Sequence, residues 1–279
     1  MQMNIQVKLD YEKAGVPAPQ QPATLCLYLL SAHEDMPAQR ERPMIIICPG
    51  GGYRYKSPRE AEPIAMRFLA AGMHAAVLQY STEPSHYPTA ALELAWSVQQ
   101  CRLHAAQWHI LPDAVFVAGF SAGGHVACTL GTLWQEPVFA AVLGDQAAVR
   151  PSGQILSYPV VTMGRFTHAG SRDNLLGTDA SPEMLHALSL EERVTADTVP
   201  AFIWHTVEDG AVPVENSMAY AAALRRCGVP FEMHLYERGC HGLSACDATT
   251  ATKPEQIVPD NAGWIDLAVR FIRRRLPGT

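Results

Sequence analysis

The sequence predicts an α/β protein in which a mostly parallel sheet of about eight strands carries helices on both faces. Short runs of β-branched and apolar residues recur along the chain, and several are apolar on both faces, as buried parallel strands require. Segments with apolar residues at spacings of three and four separate these runs and provide the crossovers that parallel strands need. A serine flanked by glycines also stands where one apolar run meets a helical pattern, at residues 119–123.

The predicted strands begin near the N-terminus. The first 20 or so residues are expected to form a strand and a Pro-rich turn that lead into the sheet. The other predicted strands are the apolar runs 24–30, 44–48, 74–80, 114–119, 154–160, 201–205 and 231–236.

Helical patterns occupy much of the chain between these strands. They cover about residues 59–71, 89–107, 122–133, 215–226 and 261–275. Residues 162–199 break the alternation, because they are rich in Gly, Ser, Asp and Pro and contain one short helical pattern near 182–188. We expect this segment to form a short lid or a pocket wall. Since no internal repeat or linker is found, residues 1–279 are predicted to form a single domain.

The composition excludes several functional classes. The 279 residues include 21 Lys and Arg against 27 Asp and Glu, a formal charge of −6, and 48% are hydrophobic while 17% are charged. This is a globular composition without the clustered positive charge that nucleic acid or an anionic membrane surface needs. The one basic run, residues 273–275, ends the last predicted helix, where cations interact favourably with the helix dipole.

Neither the N-terminus nor the apolar runs of the chain resemble a targeting or membrane-spanning segment. The segment MQMNIQVKLDYEKAG has no apolar core behind a basic start, and no run approaches the roughly 20 apolar residues that span a bilayer. The seven cysteines are an odd number without a CxxC pair, which favours reduced thiols. These features predict a cytoplasmic protein without a membrane partner.

The sequence Gly119-Phe120-Ser121-Ala122-Gly123 fits the pattern G-x-S-x-G between the apolar run AVFVA and a helical pattern. Small flanking residues allow the tight strand-to-helix turn that exposes a serine hydroxyl. A hydroxyl is a weak nucleophile until a base removes its proton, so a histidine and an orienting acid are required elsewhere. Ser121 is predicted to be the nucleophile of such a set.

His241 is the favoured base among the 11 histidines. It lies in a Gly-Cys-His-Gly loop just past the strand FEMHLY, where a side chain can project over the carboxyl edge of the sheet. His205 and His234 lie inside apolar strands, and His125 lies one turn into the helix after the serine. These three are interpreted as packing residues.

Two adjacent carboxylates follow the strand AFIWH and compete for the role of the acid. Asp209 precedes Gly210, which fits a tight turn that directs a short carboxylate at an imidazole. Glu208 is expected to face solvent. Asp209 is therefore assigned to orient the base.

Acyl transfer also needs donors for the oxyanion that develops. Three glycines follow the strand MIIIC, and the N–H groups of Gly51 and Gly52, with that of Ala122, are predicted to form the oxyanion hole. Tyr53 and Tyr80 are expected to line the substrate pocket, although aromatic residues at strand ends are equally typical of the core.

Thiol and metal chemistry are disfavoured. Cys240 neighbours the base, but the turn position belongs to the serine, so it is interpreted as a bystander. His234, Cys240 and His241 lack the spacing of metal ligands. We expect no metal or organic cofactor, since hydroxyl, base and oxyanion donors are sufficient.

Six motifs together carry a family resemblance: PGGGY at 49–53, AGFSAGGH at 118–125, SYPVVT at 157–162, DNLLG at 173–177, WHTVEDGAVPVENS at 204–217 and HLYERGCHG at 234–242. Over essentially its whole length the chain resembles the α/β-hydrolase superfamily. More narrowly, it resembles small bacterial esterases of the acetyl xylan esterase and feruloyl/acetyl esterase group, neighbours of the hormone-sensitive-lipase-like enzymes. The resemblance implies the α/β-hydrolase fold without a large cap domain and a triad of Ser121, Asp209 and His241.

The chain departs from lipase-like relatives at one position. Pro49 stands where they have His before the three glycines, so different loop hydrogen bonding is expected without loss of catalysis. The short 162–199 segment and the lack of a cap insertion imply an open pocket for a small acyl group on a larger alcohol, such as a sugar.

The expected function is that of a serine carboxylesterase, which hydrolyses short-chain, acetyl-type esters through an acyl-enzyme. Two alternatives stay open: an arylformamidase or amidase using the same triad, and a non-catalytic binding protein of hydrolase fold. The expected partner is a small-molecule ester. The oligomeric state is left open, a homodimer included.

Overall fold

A computed structural model describes residues 1–33, 35 and 40–276. Its strands form one eight-stranded sheet. They are β1 (Gln2–Gln6), β2 (Thr24–Tyr28), β3 (Arg42–Cys48), β4 (His74–Gln79), β5 (Ile110–Phe120), β6 (Gln154–Ser157), β7 (Ala201–Thr206) and β8 (Phe231–Tyr236).

The strands lie in the order β1-β2-β4-β3-β5-β6-β7-β8. β1 pairs antiparallel with β2, and β2 pairs antiparallel with β4, whereas the other neighbours are parallel. The carboxyl ends of β3 to β8 therefore meet at one edge of the sheet. This arrangement confirms the predicted, mostly parallel sheet of about eight strands.

Helices follow most of the strands. They are α1 (Glu62–Ala70), α2 (Thr89–Leu103), α3 (Ala105–Trp108), α4 (Ala122–Leu133), α5 (Pro137–Leu143), α6 (Gln146–Val149), α7 (Ala169–Leu176), α8 (Pro182–Ala187), α9 (Glu215–Arg226) and α10 (Trp264–Arg273). α4 and α9 have the bounds predicted from the sequence.

Two apolar cores cover the two faces of the sheet. Along β3, whose seven residues are all buried, Ile46 faces the core formed with α2, α4 and α9, while Ile45 and Ile47 face the core formed with α1 and α10. This alternation is the period of two of a strand buried on both sides. It explains why the central runs in the sequence are continuously apolar.

The observed elements differ from the prediction in several places. β5 begins at Ile110 rather than at residue 114, and α5 and α6 lie in residues 134–153, where no element was predicted. β6 ends at Ser157 rather than at residue 160, because Tyr158 has a φ of 36° and the next residue is a proline. Residues 162–199 contain α7 in addition to α8, whose position was predicted. The sequence AGSRDNLL of α7 has weak helix propensity, and a side-chain N-cap and the burial of Leu175 and Leu176 support it.

Among the described residues, no single helix has the length and apolar composition to cross a membrane. The consecutive helices α4 and α5 have this length and composition only when they are counted as one segment, and their axes are bent by 93°.

Candidate active site

Ser121 occupies the turn between β5 and α4 in a backbone conformation that is rare for a residue with a side chain, with φ 53° and ψ −119°. The turn is packed tightly against β3: a Cβ atom on Gly123 would lie 2.1 Å from the carbonyl oxygen of Cys48. Glycine at that position therefore lets the turn approach the central strand. The strained turn places the Ser121 side chain, 7% exposed, on the wall of a cavity.

Three predicted side chains come together above the carboxyl edge of the sheet. Nε2 of His241 lies 2.8 Å from Oγ of Ser121, and Nδ1 of His241 lies 2.6 Å from Oδ2 of Asp209. Because a carboxylate only accepts, Nδ1 carries the hydrogen and Nε2 accepts from the serine hydroxyl. The three groups thus form a continuous hydrogen-bonded relay from a hydroxyl to a carboxylate, with the imidazole in the tautomer that can receive a proton at Nε2.

Asp209 is buried and fully engaged at both oxygens. Oδ1 accepts from the backbone N–H groups of Ala211 and Val212, each at 2.9 Å, which fixes the turn after β7. Burial alone would raise the pKa of Asp209, but hydrogen bonds from His205 and His241, the charge of His241 and the Val212 N–H outweigh it. The pKa of this carboxyl lies below its usual range. Asp209 is therefore ionised where it accepts from the imidazole of His241.

His205 is a packing residue, as interpreted from its strand, but it also supports the acid. Its Nε2 donates to the carbonyl of Val212 at 3.0 Å and contacts Oδ2 of Asp209 at 3.2 Å, while Nδ1 accepts from the Ser217 hydroxyl. In the sequence, the spacing of four residues between His205 and Asp209 is the signal that could have predicted this contact. His205 thus holds the oxygen that faces His241.

The loop after β3 carries the predicted oxyanion donors. Gly51 has a φ of 136°, and a Cβ atom there would lie 2.0 Å from the carbonyl oxygen of Tyr55, so this position requires glycine. In the part of the chain that the structure describes, no protein acceptor is bonded to the N–H groups of Gly51 and Gly52. Ala122 is the first residue of α4, where N–H groups lack intrahelical acceptors. All three donors are available to a ligand.

Two buried side chains hold this loop in place at Pro49 and Gly50. The Tyr80 hydroxyl donates to the carbonyl of Pro49 at 2.7 Å, and the N–H of Gly50 donates to Oε2 of Glu60 at 2.8 Å. Both bonds use backbone groups of the loop, so the expected difference in loop bonding from lipase-like relatives stays a prediction. Glu60 was not recognised in the sequence.

Glu60 also connects the oxyanion loop to the loop of the base. Its Oε1 accepts from the Tyr158 hydroxyl at 2.6 Å, and the same hydroxyl accepts from the N–H of Ser244 at 2.9 Å. The Tyr158 ring packs edge-on against the His241 ring, with centroids 5.1 Å apart. One carboxylate, 3% exposed, thus positions both sides of the site.

The two tyrosines expected to line the pocket lie elsewhere. Tyr53 and Tyr80 are buried, and neither lies on the wall of the cavity that contains Ser121. The Tyr53 hydroxyl bonds to Nδ1 of His125 at 2.9 Å, and burial lowers the pKa of His125 to about 4, so that ring is neutral. Both tyrosines are therefore core residues that support the loop, a position as typical of aromatic residues at strand ends as a pocket wall is.

The cavity beside Ser121 has a volume of about 440 Å³ and mostly polar walls. Besides the residues of the relay and the oxyanion loop, it is lined by Arg54, Tyr55, Arg59, His168 and Asn174 among others. Within the described residues, no group of three or more His, Cys, Asp and Glu side chains is arranged to hold a metal ion. The arrangement can activate a hydroxyl, stabilise an oxyanion and accommodate a small polar molecule.

The 162–199 segment forms one wall of this cavity through α7. Nδ2 of Asn174 donates to the carbonyl of Gly52 at 2.8 Å, and His168 at the start of the helix lies beside it on the wall. Asn174 belongs to the motif DNLLG, whereas no pattern in the sequence marked His168.

A family model described as BD-FAE matches residues 32–224. Among curated proteins, the chain is 39% identical over 217 residues to endo-1,4-beta-xylanase B of Butyrivibrio fibrisolvens, a match that covers 74% of this chain and 33% of that protein. This chain spans about a third to a half of the length of the curated relatives it matches.

Solved structures match over nearly the whole chain. One is an acetyl ester-xyloside bifunctional hydrolase from Caldicellulosiruptor lactoaceticus, with 32% identity, a TM-score of 0.79, and coverage of 91% of this chain and 89% of that one. Another is the carboxylesterase Cest-2923 from Lactobacillus plantarum WCFS1, with 29% identity, a TM-score of 0.84 and coverage of 100% of both chains.

Proposed function

Because this chain belongs to the BD-FAE family and has the α/β-hydrolase fold, we propose that it is a serine carboxylesterase. Its substrates are short-chain, acetyl-type esters of hydroxylated alcohols such as carbohydrates. The observation that carries this proposal is the hydrogen-bonded relay from Ser121 through His241 to Asp209, beside three unpaired N–H groups.

In the first half of the reaction, Oγ of Ser121 attacks the ester carbonyl carbon while its proton passes to Nε2 of His241. The carbonyl oxygen becomes an oxyanion and accepts hydrogen bonds from the N–H groups of Gly51, Gly52 and Ala122. Each such donor contributes about 10²- to 10³-fold to the rate. When the tetrahedral intermediate collapses, the C–O bond to the alcohol breaks and His241 returns the proton to the departing oxygen.

In the second half, water attacks the acyl-enzyme at the same carbon. His241 takes a proton from this water, the oxyanion forms again in the same hole, and collapse returns the proton to Ser121 as the carboxylic acid leaves. The ionised Asp209 stabilises the imidazolium in both halves. No step needs a metal ion, so we expect turnover to be unchanged in EDTA.

The size and polarity of the cavity support a small acyl group on a polar alcohol. A volume of about 440 Å³ is at the low end for ligand pockets and leaves little room for a long acyl chain together with an alcohol. Side chains that donate and accept hydrogen bonds line its wall, which favours an alcohol with hydroxyl groups. The names of two matched proteins, a xylanase and an acetyl ester-xyloside hydrolase, agree with this substrate class.

Covalent labelling tests the proposed nucleophile. A fluorophosphonate should form one adduct per chain, on the peptide that contains Ser121, because only a hydroxyl paired with a base and an oxyanion hole reacts rapidly. Mass spectrometry of the digested protein locates the adduct, and Ser121→Ala should give none. An unlabelled wild-type protein would favour the non-catalytic binding protein, and an adduct on another serine would contradict the assignment.

Turnover of a substrate panel tests the bond and the acyl group. We expect kcat/KM to fall more than tenfold from acetyl to octanoyl esters of one alcohol, since the longer chain does not fit the cavity. Acetylated xylosides should be hydrolysed, and N-formylkynurenine should be a poor substrate. A higher kcat/KM for N-formylkynurenine than for every ester would support the formamidase instead.

Glu60→Gln is expected to lower kcat about 10- to 100-fold with little change in KM. A neutral amide has one acceptor oxygen for the two donors, Gly50 N–H and Tyr158 O–H, and charged hydrogen bonds of this kind contribute about 1.5–3 kcal/mol. The displaced loop would then misplace the oxyanion donors. Steady-state kinetics with phenyl acetate provide the measurement, and the exposed Glu62→Gln is the matched control. An unchanged kcat in Glu60→Gln would refute this positioning role.

A further inference from the structure

His168 is a cavity residue for which the proposed mechanism has no use. It precedes α7 in the segment between β6 and β7, and its half-buried ring lies on the same wall as Asn174. A methyl group placed on Gly52 would lie 4.0 Å from Cε1 of His168. The ring therefore stands next to the oxyanion loop, in the cavity that also contains Ser121 and His241.

The hydrogen bonds of His168 determine which ring nitrogen carries a hydrogen. Nδ1 accepts from the backbone N–H of Ser171 at 3.1 Å and contacts the Ser171 hydroxyl at 2.8 Å. A nitrogen that accepts from an amide has no hydrogen of its own, so the neutral ring is protonated at Nε2. Burial, and then the charge of His241, lower the pKa of His168, which keeps the ring neutral at pH 7.

Nε2 of His168 is consequently a donor without a protein acceptor in the described part of the chain. It cannot act as a base, because it already carries its hydrogen and Nδ1 is occupied. An acetyl group offers one acceptor, the carbonyl oxygen, which the oxyanion donors already bind. A further donor in the wall is therefore expected to bond to an oxygen in the alcohol part of the ester.

We propose that His168 determines alcohol specificity by donating from Nε2 to a hydroxyl or ring oxygen of a hydroxylated alcohol, such as a sugar. This inference rests on the proposed esterase function and adds a residue that selects the leaving group. Two neighbours on the wall suit the same ligand. Asn174 donates from its amide nitrogen to the oxyanion loop, which leaves its amide oxygen for a ligand hydroxyl, and the exposed ring of Tyr55 offers an aromatic surface to the alcohol.

The test compares two acetyl esters in the variant His168→Asn. Asparagine is a preferred N-cap, and its side-chain oxygen can accept from the Ser171 N–H as Nδ1 does, but the shorter side chain removes the donor from the cavity. We expect kcat/KM for a monoacetylated methyl xyloside to fall about tenfold, mainly through KM. For phenyl acetate, whose alcohol has no further hydrogen-bonding group, we expect a change of less than about twofold.

A matched control separates ligand binding from helix capping. Ser181 caps the neighbouring helix α8 with its side chain and does not line the cavity. Ser181→Ala should therefore leave the ratio of the two kcat/KM values unchanged. Equal losses on both esters in His168→Asn, or no loss on the xyloside, would overturn the role of His168.

The two proposals fail in different ways. A wild-type protein that hydrolyses phenyl acetate but not the xyloside overturns the inference about His168 and leaves the nucleophile intact. A wild-type protein that hydrolyses neither ester overturns both proposals.

Discussion

Replacing Ser121 by alanine is expected to lower kcat for phenyl acetate by about 10⁵- to 10⁶-fold, the largest effect of any substitution considered in this chain. The variant loses the atom that attacks the carbonyl, so neither the acyl-enzyme nor its hydrolysis can occur. Binding and the oxyanion donors of Gly51, Gly52 and Ala122 remain, and they leave a small residual rate. Steady-state kinetics at high enzyme concentration, with the thermal midpoint measured in parallel, provide the measurement.

A second serine on the same cavity wall is the matched control. Ser57 lines the cavity but takes no part in the relay, so Ser57→Ala should retain kcat within a few fold. Both variants should unfold near the wild-type temperature. At Ser121, alanine and serine meet the same backbone strain in the turn, so this substitution is not expected to change the stability. Wild-type turnover in Ser121→Ala would contradict the proposed mechanism.

The fold was predictable because burial on both faces leaves a simple trace in the chain. A strand buried on both faces, such as β3, is apolar along its central residues 44–48, and a helix with one exposed face, such as α10, repeats its apolar residues at three and four, as at Ile265, Ala268, Val269 and Ile272. The relay was also foreseeable as a hypothesis, since loops after parallel strands meet at one edge of the sheet. Ser121, Asp209 and His241 each follow a strand, and the structure brings the three side chains into contact.

Contacts that depend on tertiary packing were not predictable. Glu60 meets Tyr158, 98 residues away, and the role of His168 depends on which cavity α7 covers. Tyr53 and Tyr80 were predicted to lie near the site from their positions at strand ends. The sequence does not indicate whether such an aromatic ring faces the cavity or the core. The direction of a side chain at a loop is decided by its neighbours in space, which have no fixed spacing in the chain.

The architecture also explains why the cavity is small and polar. The segment between β6 and β7 contributes two short helices, and α7 contacts the oxyanion loop through Asn174 instead of extending over the site. Part of the cavity wall is therefore made of residues of the short helix α7 and its N-cap, His168, rather than of the apolar face of a long helix. This construction is consistent with the proposed preference for a hydroxylated alcohol over a long acyl chain.

Replacing Asp209 by asparagine is expected to lower kcat by about 10⁴-fold with little change in KM. The ionised carboxylate of Asp209 accepts from Nδ1 of His241, and this bond leaves Nε2 free to receive the proton of Ser121. Both Oδ1 and Oδ2 accept from several donors, so an amide nitrogen at either position would face a donor. The imidazole would then favour the tautomer with its hydrogen on Nε2, which cannot act as the base.

The neighbouring carboxylate provides a sharp control. Glu208 is exposed, and its Oε2 accepts one hydrogen bond, from the N–H of Gly239 at 3.1 Å, so Glu208→Gln should lower kcat by no more than a few fold. Kinetics of both variants with phenyl acetate at pH 7.5 compare the two roles directly. A larger loss in Glu208→Gln than in Asp209→Asn would transfer the orienting role to Glu208. The geometry argues for the opposite result, because, of these two carboxylates, it is Asp209 that bonds to the imidazole, whereas Glu208 bonds to the N–H of Gly239.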